Sequence, residues 1–555
     1  IVIGPMAGGN DTMLEWIQQN GEILYSAHTD EVRHPYGKPL REVERKYGVA
    51  IVYAHRPLPG APGEKKPYSE ILLIDAEKAD LLPVNALKAW LYEEFGIESL
   101  RYEKNRDYEA YVKFAPAALA ALRAVGAADP SDPGVLIAHD YMGLPTILAA
   151  VMDPLGSYKT VFYAHQVATA RRIVENYPGH DTMFYQALNC SRQRDYYLSD
   201  VFGPQDFFFQ NTLIHAARYC DNIIAASEQV AGELRFLSPF FQNAAIDISY
   251  YGVSAPSCTL EEKKASRQRL QEYARNRLGF TPDTIFTHVA QMGLKKGLWR
   301  DLRVLEHLDQ AYQKEGKRGL LFLLHTNPCG KDWEYSDSLE DPWKWPVDFR
   351  EQGRRLPDSE AAFYAGLQAF NTQAKNIQVI LVDSRGLHTA ADGKSLSLEM
   401  NIRDIRRGSD VEFGQSIYEP FGCSSLEALA GGGLVVLNRT CGCLGLLERI
   451  EGNHLPPSIL IADYPQADHP ERRLQSLESI LAIGQKDRDI TEHAVSEEVA
   501  RMILERLPRS EEELQSRLAW GAEFTAKVSW DAICQKFFLP ALNHAYHRRR
   551  ARQTA

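Results

Sequence analysis

Two glutamates flank a tight turn in the stretch SIYEPFGCSSLEALAGGG, which runs from residue 416 to residue 433. Glu419 and Glu427 stand eight positions apart, separated by a Pro-Phe-Gly turn and a run of small residues. Carboxylates accept strong hydrogen bonds and can hold vicinal hydroxyls in pairs. The free N–H groups that open a helix after such a turn attract an anion, and the helix dipole adds to that attraction. The spacing suits a site for a diphosphate beside the hydroxyls of a ribose. Taken alone, it equally suits a turn that only connects a strand to a helix, with Glu427 as a solvated side chain.

The segment that carries the two glutamates is predicted to fold as a strand, a loop and a helix. The strand DVEFGQS (410–416) leads into the turn, where Gly422 permits a tight backbone path. We expect Ser424 or Ser425 to cap the helix that follows. Glu427 would then lie about one turn into the helix, while the first glutamate stands before the turn at the mouth of a cleft.

Short apolar runs rich in branched and aromatic residues alternate with amphipathic helical patterns along the whole chain. The strand candidates of the first half are GVLIAHD (134–140), KTVFYAH (159–165), NIIAAS (222–227) and AIDISYYG (245–252). Those of the second half are TIFTHVAQ (284–291), RGLLFLLHT (318–326), IQVILVDS (377–384), DVEFGQS (410–416) and GGLVVLN (432–438). This alternation predicts parallel sheets with right-handed crossovers.

The length of 555 residues predicts two large domains, because a single hydrophobic core stops growing at about 250–300 residues. We predict an α/β fold with one Rossmann-like, doubly wound domain over residues 1–255 and a second from residue 256 onward. A turn and a charged helix mark the boundary. Ligands of open parallel sheets bind at the carboxyl ends of the strands, so we expect these ends to face each other across a cleft.

Composition narrows the class of protein. Apolar residues make up 45% and charged residues 24% of the chain, and the net charge is −11, which argues against a general nucleic-acid-binding protein. No apolar run approaches the ~20 residues that span a bilayer, and no signal peptide is visible at Ile1. The eight cysteines lack zinc-finger spacing. We therefore expect a cytoplasmic protein with reduced thiols, no membrane anchor and no metal site.

The E-x7-E segment resembles a signature of retaining nucleotide-sugar glycosyltransferases of the GT-B fold. Within that group the chain is most similar to the glycogen and starch synthases, especially the animal and fungal type of glycogen synthase. Other stretches resemble that family in the expected order: IVIGP, IAHDYMGLPT, FYAHQVATARR, KKGLWRD and VSWDAICQKFFLPALNHAYH. The last of these resembles a helix that crosses back onto the first domain. The resemblance therefore implies a second domain over 256–528 and a C-terminal helix over 529–555. Residues 20–130 and a Trp-rich insertion match poorly.

The resemblance implies transfer of a glucosyl unit from UDP- or ADP-glucose to an α-glucan such as glycogen, with retention at the anomeric carbon. His165 would bond a sugar hydroxyl, Glu419 would hold hydroxyls of the transferred sugar, and Lys296 would balance the leaving diphosphate. The residues implied for donor binding are Gly422, Cys423, Ser424, Glu427, Arg171 and Arg300. No metal and no cofactor are expected, because protein groups can balance the diphosphate charge. The implied partners are a nucleoside-diphosphate sugar and a carbohydrate acceptor.

Two departures from the family keep other interpretations open. Gln291 stands where the family carries an arginine, a loss expected to cost ~10²–10³ in rate unless Arg300 or Lys295 replaces it. No stretch of the sequence from Ile1 onward resembles the N-terminal glycine-rich loop of the family. The alternatives are a same-fold enzyme with another sugar or a small acceptor, and a catalytically weak scaffold that binds glucan or nucleotide. An NAD(P) oxidoreductase is disfavoured because no strand is followed by a complete G-x-G-x-x-G motif.

The stretch NRTCGCLG (438–445) carries a C-x-C pair, which by itself is a weak indication of a redox or metal site. Its position matches a glycine-rich loop near the donor phosphates of the family, and this is the interpretation that we favour.

Overall fold

The computed structural model describes residues 1–6, 10–33, 35–58, 67–127, 129–290, 293–325, 359–382, 387–389, 395–397, 400, 402–452, 455–466 and 476–548. Its strands are β1 (Val2–Pro5), β2 (Glu22–Ser26), β3 (Glu31–Val32), β4 (Ala50–Pro57), β5 (Tyr68–Asp75), β6 (Gly134–His139), β7 (Tyr158–Ala164), β8 (Asn222–Ala225), β9 (Ile246–Ile248), β10 (Thr284–Ala290), β11 (Gly319–His325), β12 (Ile377–Val382), β13 (Leu387–Thr389), β14 (Ser395–Ser397), β15 (Val411–Gly414), β16 (Leu434–Asn438) and β17 (Ile459–Ala462).

The helices of the first half are α1 (Asn10–Asn20), α2 (Gly37–Tyr47), α3 (Leu81–Phe95), α4 (Arg106–Ala124), α5 (Leu144–Val151), α6 (Ala168–Asn176), α7 (His180–Arg192), α8 (Leu198–Phe202), α9 (Phe209–Ala216), α10 (Glu228–Leu237) and α11 (Pro239–Asn243). Those of the second half are α12 (Leu260–Leu278), α13 (Leu298–Glu315), α14 (Ser359–Gln373), α15 (Ile402–Gly408), α16 (Cys423–Ala428), α17 (Cys443–Glu451), α18 (Leu477–Leu481), α19 (Gln485–Arg506), α20 (Glu511–Lys527), α21 (Trp530–Ile533) and α22 (Leu539–His547).

The first domain contains a sheet of four parallel strands in the order β6-β7-β8-β9. These are the four strands predicted for the first half of the chain, and the prediction is confirmed. Their continuous apolar runs are typical of strands covered by helices on both faces. Because all four run the same way, the residues that follow them, such as Asp140, His165 and Ser227, collect at one edge of the sheet.

The second domain contains the six parallel strands β12-β11-β10-β15-β16-β17, extended at one side by the antiparallel hairpin β13-β14. In chain order this is the arrangement 3-2-1-4-5-6 of a Rossmann-like sheet. The five predicted strands of this half are confirmed, whereas β17 was not predicted. The winding reverses between the neighbouring strands β10 and β15, so a crevice is expected outside their carboxyl ends.

The first domain also holds a second sheet that the sequence did not predict. Its five strands lie in the order β1-β5-β4-β2-β3, and its longest pairing is antiparallel, from Ala50 opposite Asp75 to Pro57 opposite Tyr68. The IVIGP stretch forms β1 at the edge of this sheet and pairs with β5, not with β6–β9. A short connection between β4 and β5 permits only antiparallel pairing.

The carboxyl ends of the two parallel sheets face each other. The amide of Val167, after β7, donates to the hydroxyl of Tyr418 at 3.0 Å, and this hydroxyl donates to Glu233 at 2.9 Å. The Ser227 hydroxyl, after β8, donates to the carbonyl of Pro420 at 2.7 Å. Because Tyr418 and Pro420 both follow β15, the predicted arrangement of two α/β domains facing across a cleft is confirmed.

The last helix, α22, lies against the sheet of the first domain. The side chain of Asn222 donates to the carbonyl of Ala541 at 2.7 Å, and the Tyr546 hydroxyl donates to the carbonyl of Pro133 at 3.0 Å. Ala541 and Ala545 are buried against strand residues of β7 and β8. Within the described ranges, no helix combines the length and apolar character needed to cross a bilayer.

Candidate functional site

A lysine and a glutamate meet at the crevice where the second sheet reverses its winding. β10 ends at Ala290 and β15 ends at Gly414. Lys296 follows the first of these strands and Glu419 follows the second, and the Lys296 ammonium donates to the Glu419 carboxylate. Their side chains are 17% and 19% exposed, so both charges are near water and open to exchange. The structure thus brings together two residues predicted for the site.

The position of Lys296 depends on the glycine that follows it. Gly297 has a φ of 60°, and a Cβ at this position would lie 2.7 Å from the carbonyl oxygen of Gln415. A side chain is therefore excluded for both conformational and steric reasons. The turn is joined to the glutamate loop by the amide of Ile417, which donates to the carbonyl of Lys295 at 2.8 Å. The Lys-Gly pair thus fixes the ammonium beside the loop.

Two further cations lie beside Lys296. Burial lowers the pKa of Lys295, and repulsion from Arg171 and Lys296 adds to this effect, while Glu419 and Glu175 oppose it. Arg171 comes from the first domain and donates to Glu175 at 2.9 Å. Three positive charges from both domains therefore converge at one end of the cleft, and a bound dianion would relieve their repulsion.

The helix after the glutamate turn begins two or three residues earlier than predicted. Its first residue is Cys423, and Gly422 precedes it with a φ of 93° and no side-chain cap. The prediction that Ser424 or Ser425 caps this helix is wrong, since both lie inside it. A Cβ on Gly422 would lie 2.8 Å from the sulfur of Cys441, so close packing requires the glycine.

The C-x-C stretch packs directly beneath the glutamate turn. The amide of Cys443 donates to the carbonyl of Phe421 at 2.7 Å, and the amide of Gly442 donates to the carbonyl of Glu419 at 3.0 Å. The sulfurs of Cys441 and Cys443 are free thiols 3.4 Å apart. Among the described residues, no group of three or more His, Cys, Asp or Glu side chains is arranged to hold a metal ion. The contacts favour the loop interpretation of this stretch.

Glu427 faces an arginine that the sequence did not single out. Its carboxylate accepts from Arg406 at 2.9 Å, and the same guanidinium donates to Glu412 at 2.6 and 2.8 Å and to the carbonyl of Ser424. The Glu427 side chain is 35% exposed. It lines a cavity of about 280 Å³ together with Arg403 and Arg406. An acid in reach of a cation-lined cavity suits the hydroxyls of a ribose.

His165 lies at the end of β7 and uses both ring nitrogens within the protein. Its Nδ1 is hydrogen-bonded to the hydroxyl of Tyr251, and its Nε2 lies 2.7 Å from the Nδ1 of His139. Burial, and then the neighbouring His139, lower the pKa of His165 to about 4, so the ring is neutral at pH 7. The ring of Tyr251 is 4.9 Å from that of Phe421. This group of neutral side chains therefore borders the glutamate turn of the second domain.

Asp140 supports the backbone of His165. Its carboxylate accepts from the amides of His165 and Gln166 at 2.7 and 3.3 Å. Burial raises the pKa of Asp140 to about 6, against the opposing effect of these two hydrogen bonds. Its φ of 55° is uncommon for a residue with a side chain. A buried acid with a raised pKa and a strained backbone is typical of a functional site.

Arg300 does not lie in the cleft, and its prediction as a donor-binding residue is wrong. The side chain is 0% exposed and donates to Asp181 at 2.7 and 2.9 Å and to Glu492 at 2.9 Å. Its guanidinium carbon lies 3.8 Å from the ring centroid of Tyr464. Its charge is balanced by these two buried carboxylates, and its bonds to Asp181 join the first domain to the second. Gln291 and the Trp-rich stretch 331–358 lie outside the described residues.

Sequence reasoning missed two residues that the structure brings to the site. Tyr251 follows β9 and joins His165 to the glutamate turn, and Arg406 holds Glu427. Tyr251 could have been found as a polar residue at the carboxyl end of a predicted parallel strand, like His165 itself. Arg406 lies in a helix with several charged residues, and nothing in its spacing distinguishes it from a solvated side chain.

No family model matches this chain, and no curated protein matches it. Similar solved structures include a UDP-forming α,α-trehalose-phosphate synthase from Burkholderia xenovorans, with a TM-score of 0.47, 13% identity, and coverage of 86% of this chain and 88% of that one. The N-terminal domain of the trehalose-6-phosphate phosphatase from Candida albicans gives a TM-score of 0.47, 12% identity and coverage of 86% and 84%. The trehalose-6-phosphate protein from E. coli bound with UDP-2-fluoro glucose gives a TM-score of 0.46 and 12% identity, with coverage of 88% of this chain and 89% of that one.

Proposed function

We propose that this chain is a retaining glycosyltransferase that moves a glucosyl unit from UDP- or ADP-glucose to an α-glucan such as glycogen. The observation that carries the proposal is the convergence of Arg171, Lys295 and Lys296 with Glu419 where the second sheet reverses its winding. In open α/β sheets, ligands bind at this point. The resemblance of the E-x7-E segment to sugar-nucleotide enzymes supports the choice of donor.

In this proposal the diphosphate lies against the amides of Gly422, Cys423 and Ser424 and beside Lys296. The ribose bonds to Glu427, and the base occupies the adjoining cavity of about 280 Å³. Donor binding separates the ion pair of Lys296 and Glu419. The ammonium turns to the phosphate and the carboxylate turns to the sugar hydroxyls, so each charge exchanges one strong partner for another.

The chemistry requires the bond between the anomeric carbon and the diphosphate oxygen to break while the acceptor hydroxyl bonds to that carbon on the same face. The acceptor proton passes to the departing diphosphate oxygen. Negative charge grows on that oxygen, and Lys295, Lys296 and Arg171 would stabilise it from fixed positions. The backbone carbonyl of His165 would lie near the carbon that becomes positive. The protein cations supply the needed charge, so the proposal includes no cofactor.

The proposal assigns this activity to the cytoplasm, because the seven cysteines within the described residues are all free thiols. Free thiols persist in a reducing compartment.

The test is a donor and acceptor panel with the purified chain. UDP-, ADP- and GDP-glucose and UDP-mannose are each incubated with glycogen, maltoheptaose or glucose 6-phosphate, and nucleoside diphosphate release and product mass are measured. We expect glycogen-dependent release from UDP- or ADP-glucose and none from Glu419→Ala. Transfer only to a small acceptor would support the same-fold alternative.

A scaffold would behave differently in the same panel. It would gain thermal stability from UDP, by about 2.7 kcal/mol at 100 times the dissociation constant, yet would release no product. Equal turnover by wild type and Glu419→Ala would reject the proposed role of the glutamate and with it the proposed function.

A further inference from the structure

Three side chains of the first domain form a continuous hydrogen-bonded row, which we call the imidazole row: Tyr251, His165 and His139. The hydroxyl of Tyr251 bonds to Nδ1 of His165, and Nε2 of His165 lies 2.7 Å from Nδ1 of His139. The two imidazole planes are parallel to within 1°, which suits a hydrogen bond in the plane of both rings. Both ring nitrogens of His165 are therefore occupied before any ligand binds.

The direction of these hydrogen bonds follows from the phenol. Burial raises the pKa of Tyr251, and Tyr163, Asp140, Cys423 and Glu419 add to this in that order, so the hydroxyl keeps its hydrogen. Among the described residues, its only hydrogen-bond partner is Nδ1 of His165. If the imidazole donated instead, the phenol hydrogen would have no acceptor in a largely buried position, which is unfavourable. The phenol therefore donates.

The rest of the row follows from this first bond. A neutral imidazole has one N–H. With Nδ1 of His165 acting as acceptor, its hydrogen lies on Nε2 and is donated to Nδ1 of His139. His139 must then carry its own hydrogen on Nε2. Although this side chain is exposed, the protein around its ring removes enough water to lower the pKa of His139, which favours the neutral form.

The Nε2 atom of His139 has no hydrogen-bond partner within the described part of the chain. It lies at the end of β6, on the edge of the sheet that faces the second domain. We propose that His139 donates this Nε2–H to an oxygen of the bound sugar, and that His165 and Tyr251 are positioning residues that fix its tautomer and direction. This inference rests on the proposed function and moves the sugar contact of the imidazole from His165 to His139.

The polarity of the row is testable without any activity. Histidine labelled with ¹⁵N in the ring is incorporated into the full chain, and the ring signals are assigned with His139→Gln and His165→Gln. We expect both residues to be neutral, with hydrogen on Nε2, and we expect Tyr251→Phe to shift the His165 signals toward a mixture of tautomers. Hydrogen on Nδ1 of His139, or an unchanged spectrum in Tyr251→Phe, would overturn the inference.

The sugar contact is tested by two substitutions at one position. His139→Ala removes the donor, whereas His139→Gln keeps an N–H close to the place of Nε2. We expect kcat to fall on the order of tenfold for the first and within about threefold for the second. The Kd for UDP should be unchanged in both, because the proposed contacts of UDP, with the second domain and Arg171, do not include His139. Wild-type kcat in His139→Ala, or equal losses in the two variants, would overturn the contact.

A double substitution separates a positioning role from a merely structural one. Tyr251→Phe should lower kcat in the wild-type background but not further in His139→Ala, because both act through the same N–H. Additive losses would contradict the row. If the wild type transfers no glycosyl unit from any donor, the proposed function fails and the sugar contact is rejected with it, while the ring spectra still decide the polarity.

Discussion

Two groups of charged residues lie between the domains, and they are built in opposite ways. In the seam, which we define as Asp181, Arg300 and Glu492, every side chain is 0% exposed and fully paired. In the cleft, Lys296 and Glu419 form one ion pair and remain 17% and 19% exposed. The two cations belong to the same KKGLWRD segment and are four residues apart.

The degree of burial determines which of these charges can bind a ligand. Charges removed from water are stable only while every partner is present, so the seam has no capacity to bind anything else. A pair at the surface of a cleft gains little from its own contact, because water competes with it. Lys296 can therefore leave Glu419 for a phosphate, whereas Arg300 cannot leave Asp181.

The largest effect is expected from Arg300→Met, which leaves Asp181 and Glu492 buried without their cation. Loss of one member of a buried ion pair costs about 3–5 kcal/mol in the free energy of unfolding. Urea unfolding measures this change. Arg501→Met is the control, since Arg501 is 59% exposed and pairs with Glu505 at the surface, and its effect should stay under about 0.5 kcal/mol. Similar losses in both variants would contradict the seam.

Lys296→Ala should show the reverse pattern. We expect kcat at saturating donor to fall by ~10²–10³, because a fixed cation is lost from the leaving group, while the free energy of unfolding changes by less than about 1 kcal/mol. Lys317→Ala, at a 50% exposed lysine paired with Glu315, should change neither quantity. If Lys296→Ala lowered the free energy of unfolding as much as Arg300→Met does, the proposed difference between the seam and the cleft would be contradicted.

Asp140→Asn tests a buried acid that is paired with no cation among the described residues. Because its pKa is raised from 3.8 to about 6 in the folded chain, the stability it contributes is complete below the lower value and is lost as the pH rises through the higher one. Asparagine does not ionise. The free energy of unfolding of the variant should therefore rise relative to that of the wild type, by roughly 2–3 kcal/mol between about pH 4 and pH 7. Urea unfolding across this range measures the gain.

The neighbouring His165 titrates in both proteins, so its contribution cancels in the Asp140 comparison. Asp531→Asn, at an exposed aspartate, is the matched control for the change from a carboxyl to an amide. A constant difference between Asp140→Asn and the wild type would mean that the carboxyl ionises normally in the folded chain.

The smallest effect is expected from Glu427→Gln. Loss of a charged acceptor for ribose hydroxyls should weaken UDP binding about tenfold, with kcat changed by no more than about twofold, because this residue is remote from the reacting carbon. Titration calorimetry with UDP measures the affinity. Glu448→Gln, on the exposed side of α17, is the control. An unchanged Kd for UDP in Glu427→Gln would remove this residue from the donor site.

The strands of the two parallel sheets could be predicted because each is a continuous apolar run with turn residues after it. β17 was missed because ILIA is only four residues long and lies between proline-rich turns. The five-stranded sheet was missed for another reason. Its strands β4 and β5 are as apolar as the rest, but their antiparallel pairing depends on a short connection and not on residue type.

The sequence identified residues of the candidate site but not the side chains that each of them contacts. The spacing of Glu419 and Glu427 pointed to a ligand, yet Glu419 faces Lys296 and Glu427 faces Arg406. Lys296 was predicted to balance the diphosphate and Arg300 to bind the donor, and the burial that separates these two cations could not be predicted. Pairing and burial arise from contacts between distant parts of the chain, which a single sequence does not specify.

The helix α7 makes the folding of each half of the chain dependent on the other half. By sequence this helix belongs to the first half, yet it bonds to the second. Thr182 donates to the carbonyl of Tyr464 at 3.2 Å and Gln186 donates to that of Pro465 at 2.9 Å. Asp181, in the same helix, accepts from Arg300. A second half produced as a fragment would hold a guanidinium in its interior facing no Asp181. We therefore expect neither half to fold as a separate fragment, and we expect the two fragments to fold when they are mixed.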